Sequence, residues 1–391
     1  MTRTWSAAES ACWPTTEQAL LLRAALLPGP ESLAAWERWK RSIDLDLLDA
    51  ASVRLLPHLY RRLEGAGVRD PLMGRLKGTY RHTLYSNHLR LGSAVPVLRE
   101  LARAGVPTML LKGAALTVLY YRDVGLRPMD DVDILVPTRQ AGVAVDVLNQ
   151  LGFTPRCRVT GRHVQVGHAV DLGDARGQRI DLHWHLLPES CWPSADATFW
   201  EHARQATFHG VEAAVLHPTE QLFHICAHGL KWEPVAPVRW VADAAVVLAR
   251  AEAEIDWGRL AAQAEGHRMI LPLRSALRVL REMLGLPVPA EILERLQRAH
   301  VSSADHWEYR MRLGAPSVLL GRICEHWLRY RRRPWGADEQ RVGFARYLEV
   351  VLGTDGLWDL GRRALLRHRW RRHARRVSQQ YARALNRTTM S

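Results

Sequence analysis

Leu110-Leu-Lys-Gly-Ala-Ala-Leu116, followed by Gly125-Leu-Arg-Pro-Met-Asp-Asp-Val-Asp-Ile-Leu-Val136, is the stretch from which the fold is read. Residues 108–111 are a short apolar run, 113–121 carry helical spacing, and 131–136 alternate acidic and apolar residues as a half-buried strand does. Side chains of a strand alternate between its faces, so Asp131 and Asp133 share one face while Val132 and Ile134 take the other. Two carboxylates a few Å apart repel, and a cation relieves the repulsion. Hard oxygen donors favour magnesium over zinc.

A third acid on a neighbouring strand completes such a site. Arg179-Ile-Asp-Leu-His-Trp184 supplies it: Ile180 and Leu182 face a core, and Asp181 faces the other way. If the strand persists, His183 and His185 lie on the Asp181 face, whereas Asp171 and Asp174 stand nearer a turn. That turn is Gly173-Asp174-Ala175-Arg176-Gly177, joining two strand-like segments between 162 and 187.

Around this centre the pattern is helical. Thr16 is placed to cap a run from 18 to 27, residues 31–63 carry apolar positions at helical spacing, and a further run from 71 to 104 stops at Gly105. After His217-Pro218-Thr219 the helical period returns, with Gly229 closing the first helix. The expected fold class is therefore α+β: an N-terminal helical region over 1–104, a mixed catalytic domain over 105–215, and a C-terminal helical domain over 216–391.

Composition narrows the class of protein. With 47% hydrophobic and 24% charged residues, the chain has the balance of a packed globular protein. No stretch free of Lys, Arg, Asp and Glu approaches the roughly 18 residues that cross a bilayer. Glu9, Glu17 and Arg23 argue against a signal peptide. Five scattered cysteines without a C-x-x-C support neither a disulfide scaffold nor a zinc ribbon, so the expected home is the cytoplasm. The net charge of +14 is local: the segment 362–391 has ten arginines and no acid. Within it Leu366, Trp370, Ala374, Val377, Tyr381 and Leu385 trace one helical stripe, read either as a docked terminal helix or as a surface for a polyanion.

The order Lys-Gly, Arg-Pro, Asp-x-Asp with three apolar residues, then a distant Asp-Leu-His-Trp, resembles the uncharacterised bacterial nucleotidyltransferases of the DNA polymerase β-like superfamily. The resemblance is densest over 108–185, and extends to Gln221-Leu-Phe-His-Ile-Cys-Ala-His-Gly229 and Arg239-Trp-Val-Ala-Asp243. It implies a mixed sheet flanked by helices and transfer of a nucleoside monophosphate from a nucleoside triphosphate, ATP among them, to an acceptor. Asp131, Asp133 and Asp181 then take the catalytic and metal-binding places, with two magnesium ions between them, and Gly113 takes the glycine of the phosphate turn. Lys112 and Arg127 are the accompanying nucleotide contacts; Ala114 stands where the superfamily has serine.

The acceptor stays open among a small molecule of natural-product or polysaccharide biosynthesis, a peptide and an RNA. Two other readings stand beside the enzyme: an accessory protein on a catalytically degenerate scaffold, and an RNA-modifying, toxin-like transferase. His224 and His228 have a spacing that can bind zinc, but no glutamate follows His224 as a metalloprotease requires, so they read as packing or substrate-side residues.

Overall fold

In the computed structural model, which describes residues 13–230, 237–313, 319–335 and 341–352, the first helix begins where side chains satisfy its first N–H groups. Helix α1 (Thr16–Leu26) is capped by Thr15, one residue before the expected position: Thr15 Oγ1 accepts from the Gln18 N–H at 3.2 Å, and Gln18 Oε1 accepts from the Thr15 N–H at 3.0 Å. The expected helical span over 31–63 is interrupted. Helix α2 (Gly29–Ser42) ends, Asp44 and Asp49 each accept backbone N–H groups in the intervening turns, and α3 (Leu56–Gly65) starts anew. Helix α4 (Met73–Arg103) stops before Gly105, whose φ of +68° suits glycine.

Strand β1 (Met109–Leu110) leads directly into α5 (Lys112–Leu116), and β2 (Val132–Leu135) is followed by α6 (Ala141–Gln150). Strands β3 (Thr154–Pro155), β4 (Ala169–Gly173), β5 (Arg179–His183), β6 (Arg204–Phe208) and β7 (Val211–Val215) complete a sheet of order β3-β4-β5-β2-β1-β7-β6. It is mixed: β2 runs parallel to β5 and β1 to β7, and the other pairs are antiparallel. The fold is α+β.

Two segments differ from the sequence reading. Residues Gly161–Val166 are a short helix, not extended chain, because Thr160 Oγ1 accepts from the His163 N–H and starts a turn there. The β6–β7 hairpin was not singled out; its two-residue loop, His209-Gly210, has positive φ at both positions, the conformation a tight hairpin requires.

The sheet has a core on each face. Val132, Ile134, Ile180 and Leu182 pack with Leu91 and Leu98 of α4 and with Ala144 and Leu148 of α6. The opposite face belongs to a larger core that holds Leu111 and Leu135 together with α1, α3 and the helices that follow the sheet: α7 (Pro218–Gly229), α8 (Arg239–Ala251), α9 (Trp257–Gly266) and α10 (Ile270–Leu284). Asp133 and Asp181 lie on that second face, by the alternation of their strands. The chain divides into two compact units at 317/318. In the second, Trp327 and Tyr330 of one helix meet Phe344 of the next, at ring separations of 4.8 and 5.4 Å. The arginine-rich stripe over 362–391 lies outside the described residues. No helix among the described residues is long and apolar enough to cross a membrane.

Gly229 ends α7 against α8, where a Cβ would come within 2.3 Å of Trp240 Cβ. Gly229→Ala therefore overpacks the α7–α8 contact, and a loss of about 1–3 kcal/mol in urea unfolding is expected.

Candidate active site

Register places the acids. In the parallel β2–β5 pair, Asp133 lies opposite Asp181 and Leu135 opposite His183. His183 Nε2 is 2.9 Å from Asp181 Oδ2 and 3.3 Å from Asp133 Oδ1. Lys112, at the start of α5, brings its Nζ to 2.5 Å from Asp133 Oδ1, 3.8 Å from Asp181 Oδ2 and 3.5 Å from His183 Nε2. It does so from a backbone φ of 41°, a left-handed conformation unusual for lysine.

The four groups charge one another. Burial opposes ionisation of Asp133, but Lys112 and His183 outweigh it and hold the carboxyl below its usual range. Burial also opposes the charged forms of His183 and Lys112. The carboxylates prevail: Asp181 leads in raising His183 to about 9, and Asp133 leads for Lys112. Asp131, at the threshold of β2, is compensated less: burial, then Asp133 and Asp181, outweigh Lys112 and Arg179 and push it up to about 6.

Among the described residues, Asp133, Asp181 and His183 form a group that can hold a metal ion, with ligand atoms all within 4.8 Å of one another. Asp131 is outside that group. The donors suit a divalent cation: two hard carboxylates, one imidazole, and a place already taken by the lysine ammonium.

The other sequence candidates go elsewhere. The strand ends at His183, and His185 turns away to pair through Nδ1 with Asp196 Oδ2 at 2.6 Å. Asp171 binds Arg179 and Arg156, Asp174 accepts backbone N–H groups within its turn, and Asp130 pairs with Arg54. Gly113 is packed by protein, since a Cβ there would lie 2.5 Å from Met129 Sδ and 2.7 Å from Arg127 Nη1. Ala114 is fully buried in the α4–α6 core, so that position faces apolar neighbours.

Arg127 is buried and bidentate on Asp243 of α8, Nε to Oδ1 at 2.7 Å and Nη2 to Oδ2 at 2.8 Å. Tyr121 donates its hydroxyl to the same Oδ1 at 2.8 Å. Asn87 of α4 donates to the Val124 and Arg127 carbonyls, and Arg239 to the Pro128 carbonyl. The loop entering β2 is thus tied to helices before and after it.

Lys112 and Arg127 also line a cavity of about 530 Å³. Its remaining wall includes Arg54, Gln221, His224, His228, Arg239 and Trp240. His224 is buried, and burial followed by the nearby charges of Lys112 and His183 lowers it to about 3. The sequence reading did not place Arg54, Gln221 or Arg239 in the site; the spacing of Gln221, His224 and His228 on one helical face was the available signal.

A mixed sheet that holds register-matched carboxylates beside a cation position has the layout of an enzyme that stabilises charge on a transferring phosphoryl group. A family model described as "Uncharacterised nucleotidyltransferase" matches residues 43–285, well over half of the chain, and the protein belongs to that family. It is a nucleotidyltransferase, a transferase of phosphorus-containing groups.

Among solved structures, the antibiotic-resistance factor ANT(2'')-Ia is similar at 11% identity and a TM-score of 0.33, covering 46% of this chain and 92% of that one. An antigenic nucleotidyltransferase-like protein from Paracoccidioides brasiliensis is similar at 14% identity and a TM-score of 0.35, covering 55% and 95%. No curated protein matches the chain.

Two stability predictions follow from the buried charges. Asp243→Asn leaves Arg127 buried without its carboxylate and costs about 3–5 kcal/mol in chemical denaturation, whereas the apolar double replacement Arg127→Met/Asp243→Leu recovers most of that loss. His224 is neutral in the fold, so below pH ~6.5 the unfolded chain takes up its proton first. Its contribution is complete above that pH and is lost as the pH falls towards about 3. Urea midpoints of His224→Gln should fall less steeply than those of the wild type across this window.

Proposed function

We propose that the protein transfers a nucleoside monophosphate from a nucleoside triphosphate to an acceptor, with magnesium held by Asp131, Asp133, Asp181 and His183. The observation that carries this reading is the Asp133–Asp181 pair in register around a position the Lys112 ammonium now fills. Magnesium bound there, as two ions, supplies positive charge to the phosphate oxygens and to the leaving pyrophosphate.

The chain's own groups do the rest. Lys112, released from Asp133, turns its charge towards phosphate oxygens at the cavity it already lines. The Asp181 side chain is 24% exposed against 5% for Asp133, so Asp181 is the carboxylate open to an incoming acceptor hydroxyl and takes its proton. The acceptor oxygen bonds to the α-phosphorus as the bond to the bridging oxygen breaks, and pyrophosphate leaves. Arg127 holds the loop that delivers Asp131 and Asp133, acting through Asp243.

In this reading 105–215 is the catalytic region, and Ala50 to Arg54 before it and α7 and α8 after it shape the substrate cleft. A cytoplasmic home and a polyanion contact through 362–391 accompany it, as does an acceptor from natural-product or polysaccharide chemistry.

Calorimetry with ATP, GTP, CTP and UTP in magnesium tests the proposal. The wild type should bind at least one of them markedly more tightly with the metal than without it. Asp131→Asn and Asp133→Asn should each weaken that binding, or transfer once an acceptor is in hand, by at least about 100-fold with the circular dichroism unchanged. Affinity for every nucleotide unchanged by magnesium, or no binding of any nucleotide, would overturn the assignment.

A further inference from the structure

The cavity beside Lys112 carries more unpaired polarity than a packing gap would. Gln221 and His224 lie three residues apart on α7, each 1% exposed. Among the described residues, neither Nε2 nor Oε1 of Gln221, nor Nε2 of His224, has a hydrogen-bond partner, and Trp240 Nε1 and Arg54 Nη1 of the same lining likewise have none. An unpaired buried polar atom costs about 1–3 kcal/mol, and folded proteins keep few of them. Five on the lining of one cavity point to a ligand that completes them.

Charge says which kind. Three of the lining cations are spoken for: Arg54 by Asp130, Lys112 by Asp133 and Arg127 by Asp243. Arg239 has no carboxylate within 4.0 Å among the described residues; its guanidinium donates to the Pro128 carbonyl at 3.2 Å. Burial and the adjacent Arg127 depress its pKa to about 10. An anion relieves that strain, and the planar guanidinium fork fits a carboxylate or phosphate with two parallel hydrogen bonds.

We propose that this cavity is an oxyanion-binding substrate subsite, in which Arg239 holds a phosphate or carboxylate group and Gln221 and His224 hydrogen-bond the polar body of the same small molecule. The volume of about 530 Å³ is that of a small-molecule pocket. The inference rests on the proposed transfer reaction only in taking the bound molecule as one of its substrates. The anion is either the phosphate chain of the nucleotide or an anionic group of the acceptor.

The full-length chain is titrated with inorganic phosphate and with pyrophosphate in metal-free buffer, followed by calorimetry and phosphorus NMR. One site per chain is expected, weakened at least 10-fold in Arg239→Gln. Gln221→Glu keeps the side-chain shape and adds negative charge to the same lining; a comparable loss is expected there, which covers the case of an Arg239→Gln chain that does not fold. Competition with an α,β-methylene nucleoside triphosphate in magnesium then separates the sources: displacement assigns the subsite to the nucleotide, simultaneous binding to the acceptor. Either result supports an oxyanion subsite. Absence of phosphate and pyrophosphate binding in the wild type, or binding unchanged in both variants, overturns it. A wild type that binds phosphate but no triphosphate analogue with magnesium keeps the subsite and removes the transfer reaction.

Discussion

Pairing β2 with β5 in parallel sets Asp133 against Asp181, and every polar feature nearby answers to the repulsion this creates. In partly buried surroundings, two like charges a few Å apart repel by several kcal/mol. The chain answers with its own cations, His183 two residues along β5 and Lys112 from the turn into α5. Both are held charged by the carboxylates they neutralise. Compensation is weaker at Asp131, where Lys112 and Arg179 are outweighed and the carboxyl rises to about 6. A cluster that pairs two of its acids and leaves the third under-compensated keeps negative charge that a further cation would neutralise.

Position matters as much as charge. The loop from Arg122 to Asp131 carries Asp131 and leads into Asp133 of β2, and a loop of that length would wander without anchors. Arg127 fixes it to Asp243, 116 residues further along the chain, while Asn87 binds its carbonyls from the other side. A buried ion pair repays its desolvation only with good geometry, which the bidentate Arg127–Asp243 contact and the Tyr121 hydroxyl provide. Its worth lies in where it holds the loop: strand, turn and helix α8 become one framework, so the carboxylates need not be ordered by their ligand.

What the sequence discloses follows from how local each interaction is. Alternation in 131–136 and 179–184 is a short-range pattern, so β2, β5 and the shared face of their acids could be read directly. His183 was visible by the same parity, although nothing local says that it closes on both carboxylates. Arg127 was different: a nucleotide contact was expected from its Arg-Pro setting, and its partner Asp243 lies in another part of the chain. The β6–β7 hairpin was hidden because its turn is His209-Gly210 rather than the more familiar Asn-Gly. Gly161–Val166 reads as extended from its apolar residues, and only the Thr160 cap makes it helical.

The division of labour in the molecule explains why the acceptor is illegible in the motif. The sheet contributes charge, and any transfer of a phosphoryl group needs it in much the same form. The cavity wall, by contrast, is assembled from five stretches: Ala50 to Arg54, α5, the Arg127 to Asp130 loop, and the facing surfaces of α7 and α8. Each contributes only one to a few of the polar groups, so no single stretch describes the wall. Lys112 belongs to both halves, bound to Asp133 on one side and lining the cavity on the other. A side chain in that position couples the two: whatever draws its ammonium off the carboxylates, an arriving cation beneath it or an anion beside it, also changes the charge seen by the other site. On the proposed function, occupancy of the metal position and of the cavity would be linked through this one residue, and reciprocally, because a single charge cannot neutralise both neighbours at once.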